Sequence, residues 1–155
     1  MDENDALTPL HSSHVKAMRM ATVLGAVPFV VGSLVLEIAD ILPTGVFIVP
    51  VLLAAAFIVI RVPLRRYMAR GYAMGDDRLR VVRGLWFRSD TVVPFGRVQH
   101  IDVHQGPIER AYGLATLTLH TAGTHNASIS LPGLADADAR AMRETIRAQI
   151  RRDTM

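Results

Sequence analysis

The sequence holds no cysteine among its 155 residues. Disulfide scaffolding, thiol catalysis, iron–sulfur clusters and cysteine-ligated zinc are therefore excluded. A chain without cysteine tolerates either redox side, so this absence does not reveal the compartment. Lysine is nearly missing as well: Lys16 stands alone against sixteen arginines. We read that bias mostly as genome composition, which makes it a weak sign of phosphate binding. Aromatic residues make up 6% and charged residues 20%, while half of the chain is hydrophobic. That much apolar surface excludes a disordered chain. The length gives room for one domain, or for a small domain plus a membrane anchor.

Charge is absent from two long stretches, Ala21 to Leu36 and Ile41 to Ile60. Extended to 18–38, the first admits only Arg19 and Glu37, both near its ends. A helix of about 20 residues crosses the ~30 Å hydrocarbon core, and both stretches fit. Pro28 and Pro50 lie inside them, which membrane helices tolerate better than soluble ones. A buried hairpin of a soluble protein would need a polar face, and there is none. A signal peptide would open on bases, but the chain opens Met1-Asp2-Glu3-Asn4-Asp5, with no clear cleavage site and a second span directly after. The expected anchor is a two-helix hairpin over 15–62, with spans at about 18–38 and 41–61. If Pro43-Thr44-Gly45 belongs to the turn, the second span starts nearer Val46. Residues 1–14 read as a polar, mobile tail in which His11 and His14 have no visible partner.

The flanks set the topology. Lys16 and Arg19 precede the first span, and Arg61, Arg65, Arg66 and Arg70 follow the second. The connection Glu37-Ile38-Ala39-Asp40 is acidic. The positive-inside rule then places both termini, and the domain that follows, in the cytoplasm of a multi-pass inner-membrane protein. Those four arginines are a basic flank suited to anionic lipid. No ionisable residue sits mid-span, so transport by this chain alone has no candidate residue. Gly25, Gly32, Ser33 and Ala54-Ala55-Ala56 offer small surfaces for helix packing. Residues 1–60 carry two bases against five acids, net −3, and the remainder fifteen bases against nine acids, net +6. A basic C-terminal part suits nucleic acid or an anionic membrane surface.

After a basic linker at 63–70, the chain reads as β-rich. Tyr67–Met74 suits a first strand, Gly75-Asp76-Asp77 a turn, and Arg78–Arg83 a second strand. Leu85–Val93 alternates again, which puts Leu85, Phe87 and Val93 on one face. Arg97–Gln105, Ala115–Thr121 and Ser128–Leu131 follow as strands, the last two joined by a hairpin loop at 122–126. The period then changes: Ala139, Met142, Ile146 and Ile150 form one helical stripe, with Asp136 and Asp138 in its first turn and arginines in its last. The economical assembly is an α+β protein in which a twisted antiparallel sheet, open at one end, is capped by a C-terminal helix.

Two runs carry a family likeness. They are Val93-Pro94-Phe95-Gly96-Arg97-Val98-Gln99-His100-Ile101-Asp102-Val103-His104-Gln105-Gly106-Pro107-Ile108-Glu109-Arg110 and Tyr112-Gly113-Leu114-Ala115-Thr116-Leu117-Thr118-Leu119-His120-Thr121-Ala122-Gly123. Together with Gly71-Tyr72 and Leu131-Pro132-Gly133-Leu134, they resemble the bacterial PH-like (DUF304) module of YdbS-type membrane proteins, which also begin with two spans. The resemblance runs over roughly residues 15–152 and places a PH-like domain at 71–153. It implies two transmembrane helices, then a PH-like antiparallel β-sandwich or open barrel of seven strands, capped by the C-terminal helix. It implies no reaction. It suggests a related membrane protein as partner, such as a larger relative with several PH-like modules.

The family motif gathers Pro94, Arg97, Gln99, Asp102, Gln105, Gly106, Arg110 and Gly113. The plainer reading is that its polar groups bond to each other and to loop backbone, holding the Gly106–Gly113 corner. The functional reading is a polar partner surface. Phosphoinositide-type binding would need bases in the first strand–strand loop, where Asp76 and Asp77 stand instead. His100, Asp102 and His104 are spaced roughly 6.5–7 Å apart along a strand, too far to share one metal, although one of them with His120 or His125 would serve. There is no phosphate-binding glycine loop, no credible catalytic set and no nucleic-acid motif. The expectation is a non-enzymatic, cofactor-free interaction module that docks or stabilises another membrane protein and has no nucleic-acid partner. The alternative is a sensor of lipid or a small ligand at the inner membrane surface.

Overall fold

The computed structural model describes residues 7–39, 43–122 and 128–153. Helices α1 (Ser13–Ile38) and α2 (Ile48–Met68) are long and apolar enough to cross a membrane. Their apolar side chains point outward all round: Phe29 is 71% exposed, Leu53 67% and Phe57 62%. That pattern fits a lipid-facing pair and not the core of a soluble protein. The turn between them uses Gly45 at φ +98° and delays α2 to Ile48, so Pro43-Thr44-Gly45 does belong to the connection. The Glu37 carboxylate accepts the Gly45 N–H there. At the other end α2 runs unbroken through Pro63 to Met68. The expected linker at 63–70 is thus almost wholly the last two turns of a helix.

The domain is two three-stranded antiparallel sheets. β1 (Gly71–Met74), β2 (Arg78–Arg83) and β3 (Ser89–Pro94) form the first, and β4 (Val98–His104), β5 (Leu114–Thr121) and β6 (Ser128–Ala135) the second. A 3-10 turn at Phe95–Arg97 joins the sheets, and the short α3 (Pro107–Ala111) joins β4 to β5. The described residues hold six strands where the resemblance implies seven. Helix α4 (Asp136–Asp153) contacts β4, β5, β6 and the 3-10 turn. Ala139, Met142 and Ile146 are buried against Leu79, Phe95, Leu117, Leu119 and Leu131, so the stripe read from the sequence is the face that closes the core.

Two expectations fail for physical reasons. Leu85 and Phe87 do not share the core face of Val93. The ladder stops at Gly84, whose φ of +126° folds the chain so tightly that a Cβ there would overlap the Phe87 carbonyl. Residues 85–87 are thrown outward, and β3 starts only at Ser89. The second half of the N-terminal tail is docked. Thr8 bridges Tyr72 at the free edge of β1, with N···O distances of 2.7 and 3.1 Å. Leu10 is buried in the core, the Tyr67 hydroxyl donates to the Leu10 carbonyl at 2.8 Å, and His11 N–H donates to Gly133 at 2.9 Å. The strap covers an edge that would otherwise be open to pairing with another chain.

Candidate functional site

The motif residues separate into two groups. One braces the corner between β4 and β5. Gly106 stands just before α3, with Pro107 as its first residue and Glu109 two positions on. The Glu109 carboxylate accepts the Gly106 N–H at 2.8 Å through one oxygen and the Thr116 hydroxyl at 2.6 Å through the other. Gln105 donates its amide to the Leu114 carbonyl at 2.6 Å. Gly113 takes a φ of +65°, and its carbonyl accepts the Asp136 N–H, tying the corner to the start of α4. Pro94 ends β3 opposite Arg78 and leads into the 3-10 turn, where Phe95 is buried and donates its N–H to Asp77 at 2.8 Å. These groups serve the fold. Glu109, the hub, was not singled out in the sequence, although Gly-Pro-x-Glu is a recognisable helix start with an acid near the N–H groups it satisfies.

The second group faces outward. Asp102 receives His100 Nε2 at 2.8 Å and His120 Nε2 at 3.2 Å, one on each oxygen. Register explains the set: His100 pairs with His120 across β4 and β5, their rings lie 6.0 Å apart, and Asp102 follows two residues on along the same face. Thr118, which is buried, and the half-buried Ser130 continue the polar row, their hydroxyls 3.0 Å apart. Among the described residues no group of three His, Asp or Glu is arranged to hold a metal ion. His125, the other sequence candidate, lies outside the described residues. Arg97, Gln99 and Arg110 are exposed. Their backbone is engaged: the Arg97 carbonyl accepts the Ala122 N–H at 3.2 Å, and the Arg110 carbonyl accepts the Gly113 N–H at 3.2 Å.

The basic flank forms a separate region. Arg61, Arg65 and Arg66 are exposed on α2, and the Arg61 guanidinium lies 6.0 Å over the Phe57 ring. Arg70 is partly buried, and burial, then the charges of Arg66 and Arg83, lower its pKa from the ordinary guanidinium value. The structure thus adds Arg83, from the end of β2, to the four arginines named in the sequence. A cleft of about 480 Å³ separates the end of α2 from the β2–β3 loop, lined by Leu7, Met68, Arg70, Val82, Gly84 and Arg88.

Comparison with known proteins agrees with this architecture. A family model described as Bacterial PH domain matches residues 21–150. The UPF0699 transmembrane protein YdbS of Bacillus subtilis (strain 168) is 32% identical over 95 residues, which is 61% of this chain; the chain spans 58% of that relative's length. A crystal structure of a DUF1696 family protein with a pleckstrin-homology domain from Shewanella loihica PV-4 aligns at a TM-score of 0.42 and 18% identity, over 55% of this chain and 74% of that one. The family match reaches from the apolar part of α1 to the last turns of α4 and takes in both sheets. A membrane protein with transmembrane helices and a PH-like α+β domain, the chain belongs to the bacterial PH domain family.

Proposed function

We propose that the chain is a membrane-anchored interaction module whose PH-like domain docks on another membrane protein. The observation that carries this is the division of the motif. Gln105, Gly106 and Gly113 are consumed by the corner, whereas Arg97 and Gln99, where β4 begins, and Arg110, on α3, stand exposed. Exposed polar side chains that bond to none of the described residues are available to a partner. The distribution of Lys16, Arg19 and the α2 arginines supports a hairpin with both helices across the membrane and the domain and termini in the cytoplasm. A larger membrane protein with several PH-like modules is the kind of partner this surface suits. The reading needs no catalytic step and no cofactor.

The test is a pull-down from solubilised native membranes after mild cross-linking, comparing the wild-type chain with an Arg97→Ala, Gln99→Ala double variant. One membrane protein recovered with the wild type, and reduced on the order of tenfold or more with the double variant, is the expected result. Equal recovery with both would move the contact off this surface. Recovery of nothing specific would overturn docking.

A further inference from the structure

Trp86 and Phe87 are 88% and 91% exposed, and Leu85 beside them is 43% exposed. Three adjacent large apolar side chains at a loop tip are costly to leave in water and need an occupant. The tip is built rather than slack, because Gly84 turns the chain back onto the Phe87 carbonyl. Its position follows from register. Gly71, three residues beyond the end of α2, pairs with Val82, and Arg83 pairs with Ser89. β2 therefore runs back toward the end of the sheet from which α2 departs, and its loop stands beside the last turn of that helix. The cleft shared by Met68 and Arg70 on one side and Val82, Gly84 and Arg88 on the other confirms the placement.

The chemistry at the tip is consistent. Residues 83–89 contain two bases, Arg83 and Arg88, one at each root of the tip, and no acid. Arg70 lies across the cleft just past the end of α2, close enough to Arg83 to feel its charge. An indole and a phenyl ring between cations match the headgroup layer of an anionic bilayer, where the rings sit among the glycerol and upper acyl groups and guanidinium groups meet phosphates. The nearest such surface is the bilayer that holds α1 and α2.

We propose that Leu85-Trp86-Phe87 inserts into the headgroup region of this same bilayer, with Arg83 and Arg88 on lipid phosphates, as a second membrane attachment of the domain. The expected lipid site therefore lies at the β2–β3 loop and not at the acidic β1–β2 loop. The inference is independent of protein docking: the tip engages lipid whether or not a partner is bound.

Trp86 is the only tryptophan in the chain, so its fluorescence reports the tip without labelling. The full-length protein is reconstituted into vesicles of phosphatidylcholine with phosphatidylglycerol, prepared with or without lipid brominated high on its acyl chains. The expected result is blue-shifted emission, strong quenching by the bromolipid and protection from aqueous iodide. Arg83→Glu with Arg88→Glu, both exposed positions, should lose most of the bromolipid quenching while the circular dichroism spectrum is unchanged. A water-like emission quenched by iodide and indifferent to bromolipid would overturn the proposal. So would protection from iodide that appears only when a membrane-protein extract is added, since the occupant would then be a protein.

Discussion

His14 fills the notch left where Gly133 has no side chain. Gly133 adopts φ +77°, and a Cβ on it would overlap the imidazole. The ring is buried, its Nδ1 has no hydrogen-bond partner among the described residues, and its Nε2 lies 3.5 Å from an Arg70 nitrogen. Burial first, then the Arg70 charge, lowers the His14 pKa below 6.5, with Glu109 opposing. The unfolded chain therefore binds the proton more readily than the folded one. The stability contributed by neutral His14 is complete above 6.5 and is lost as pH falls toward its depressed folded value. Thermal unfolding in detergent should show a lower Tm at about pH 5 than at about pH 7.5, and His14→Gln should flatten that dependence. An equal pH response in both proteins would mean that His14 is not the group responsible. The sequence left His14 without a partner because its contacts lie far along the chain, and one of them is the absence of a Cβ.

Among the elements, the ones with a clean period were legible. The α4 stripe and Ala115, Leu117 and Leu119 are buried as their spacing dictates, although Thr116 and Thr118 between them are buried too. The run 85–93 misleads, because alternation continues through a glycine that ends the ladder, and apolar side chains read as core whichever way they point. The β4–β5 corner was legible as a motif but not as a mechanism, because Glu109 serves two elements at once. Glu109→Ala leaves the Gly106 N–H and the Thr116 hydroxyl without their acceptor and should cost about 1–3 kcal/mol. The urea midpoint should fall with no change in slope. Arg110→Ala, at an exposed neighbour on the same turn, should stay within about 0.5 kcal/mol of wild type. If the two variants unfold alike, the carboxylate is not the brace.

The molecule as a whole is tied together at both ends of its membrane hairpin. α2 continues unbroken toward β1, while the strap at residues 7–12 and the first turn of α1 clasp β1 and β6. The domain is therefore held in a set orientation beside the helices and does not hang from one flexible linker. Little in the mostly polar composition of residues 1–14 announces this; Leu7 and Leu10 are the clues, and Leu10 is buried. Leu10→Ala should cost about 2–5 kcal/mol of local packing and release the strap. Limited proteolysis in detergent would then cleave within residues 7–12 of the variant well before the wild type, and matched cleavage times would show that Leu10 does not hold the strap.

The clasp also orders events in time. Synthesis delivers residues at roughly 5–20 per second, so Gly133 follows His14 by on the order of 6–24 s. Within that interval α1 and then α2 are completed and become available to the membrane-insertion machinery, while the groove that receives His11 and His14 does not yet exist. Insertion of the hairpin thus precedes closure of the clasp, and the last strand and helix complete a contact that the first residues have been waiting to make.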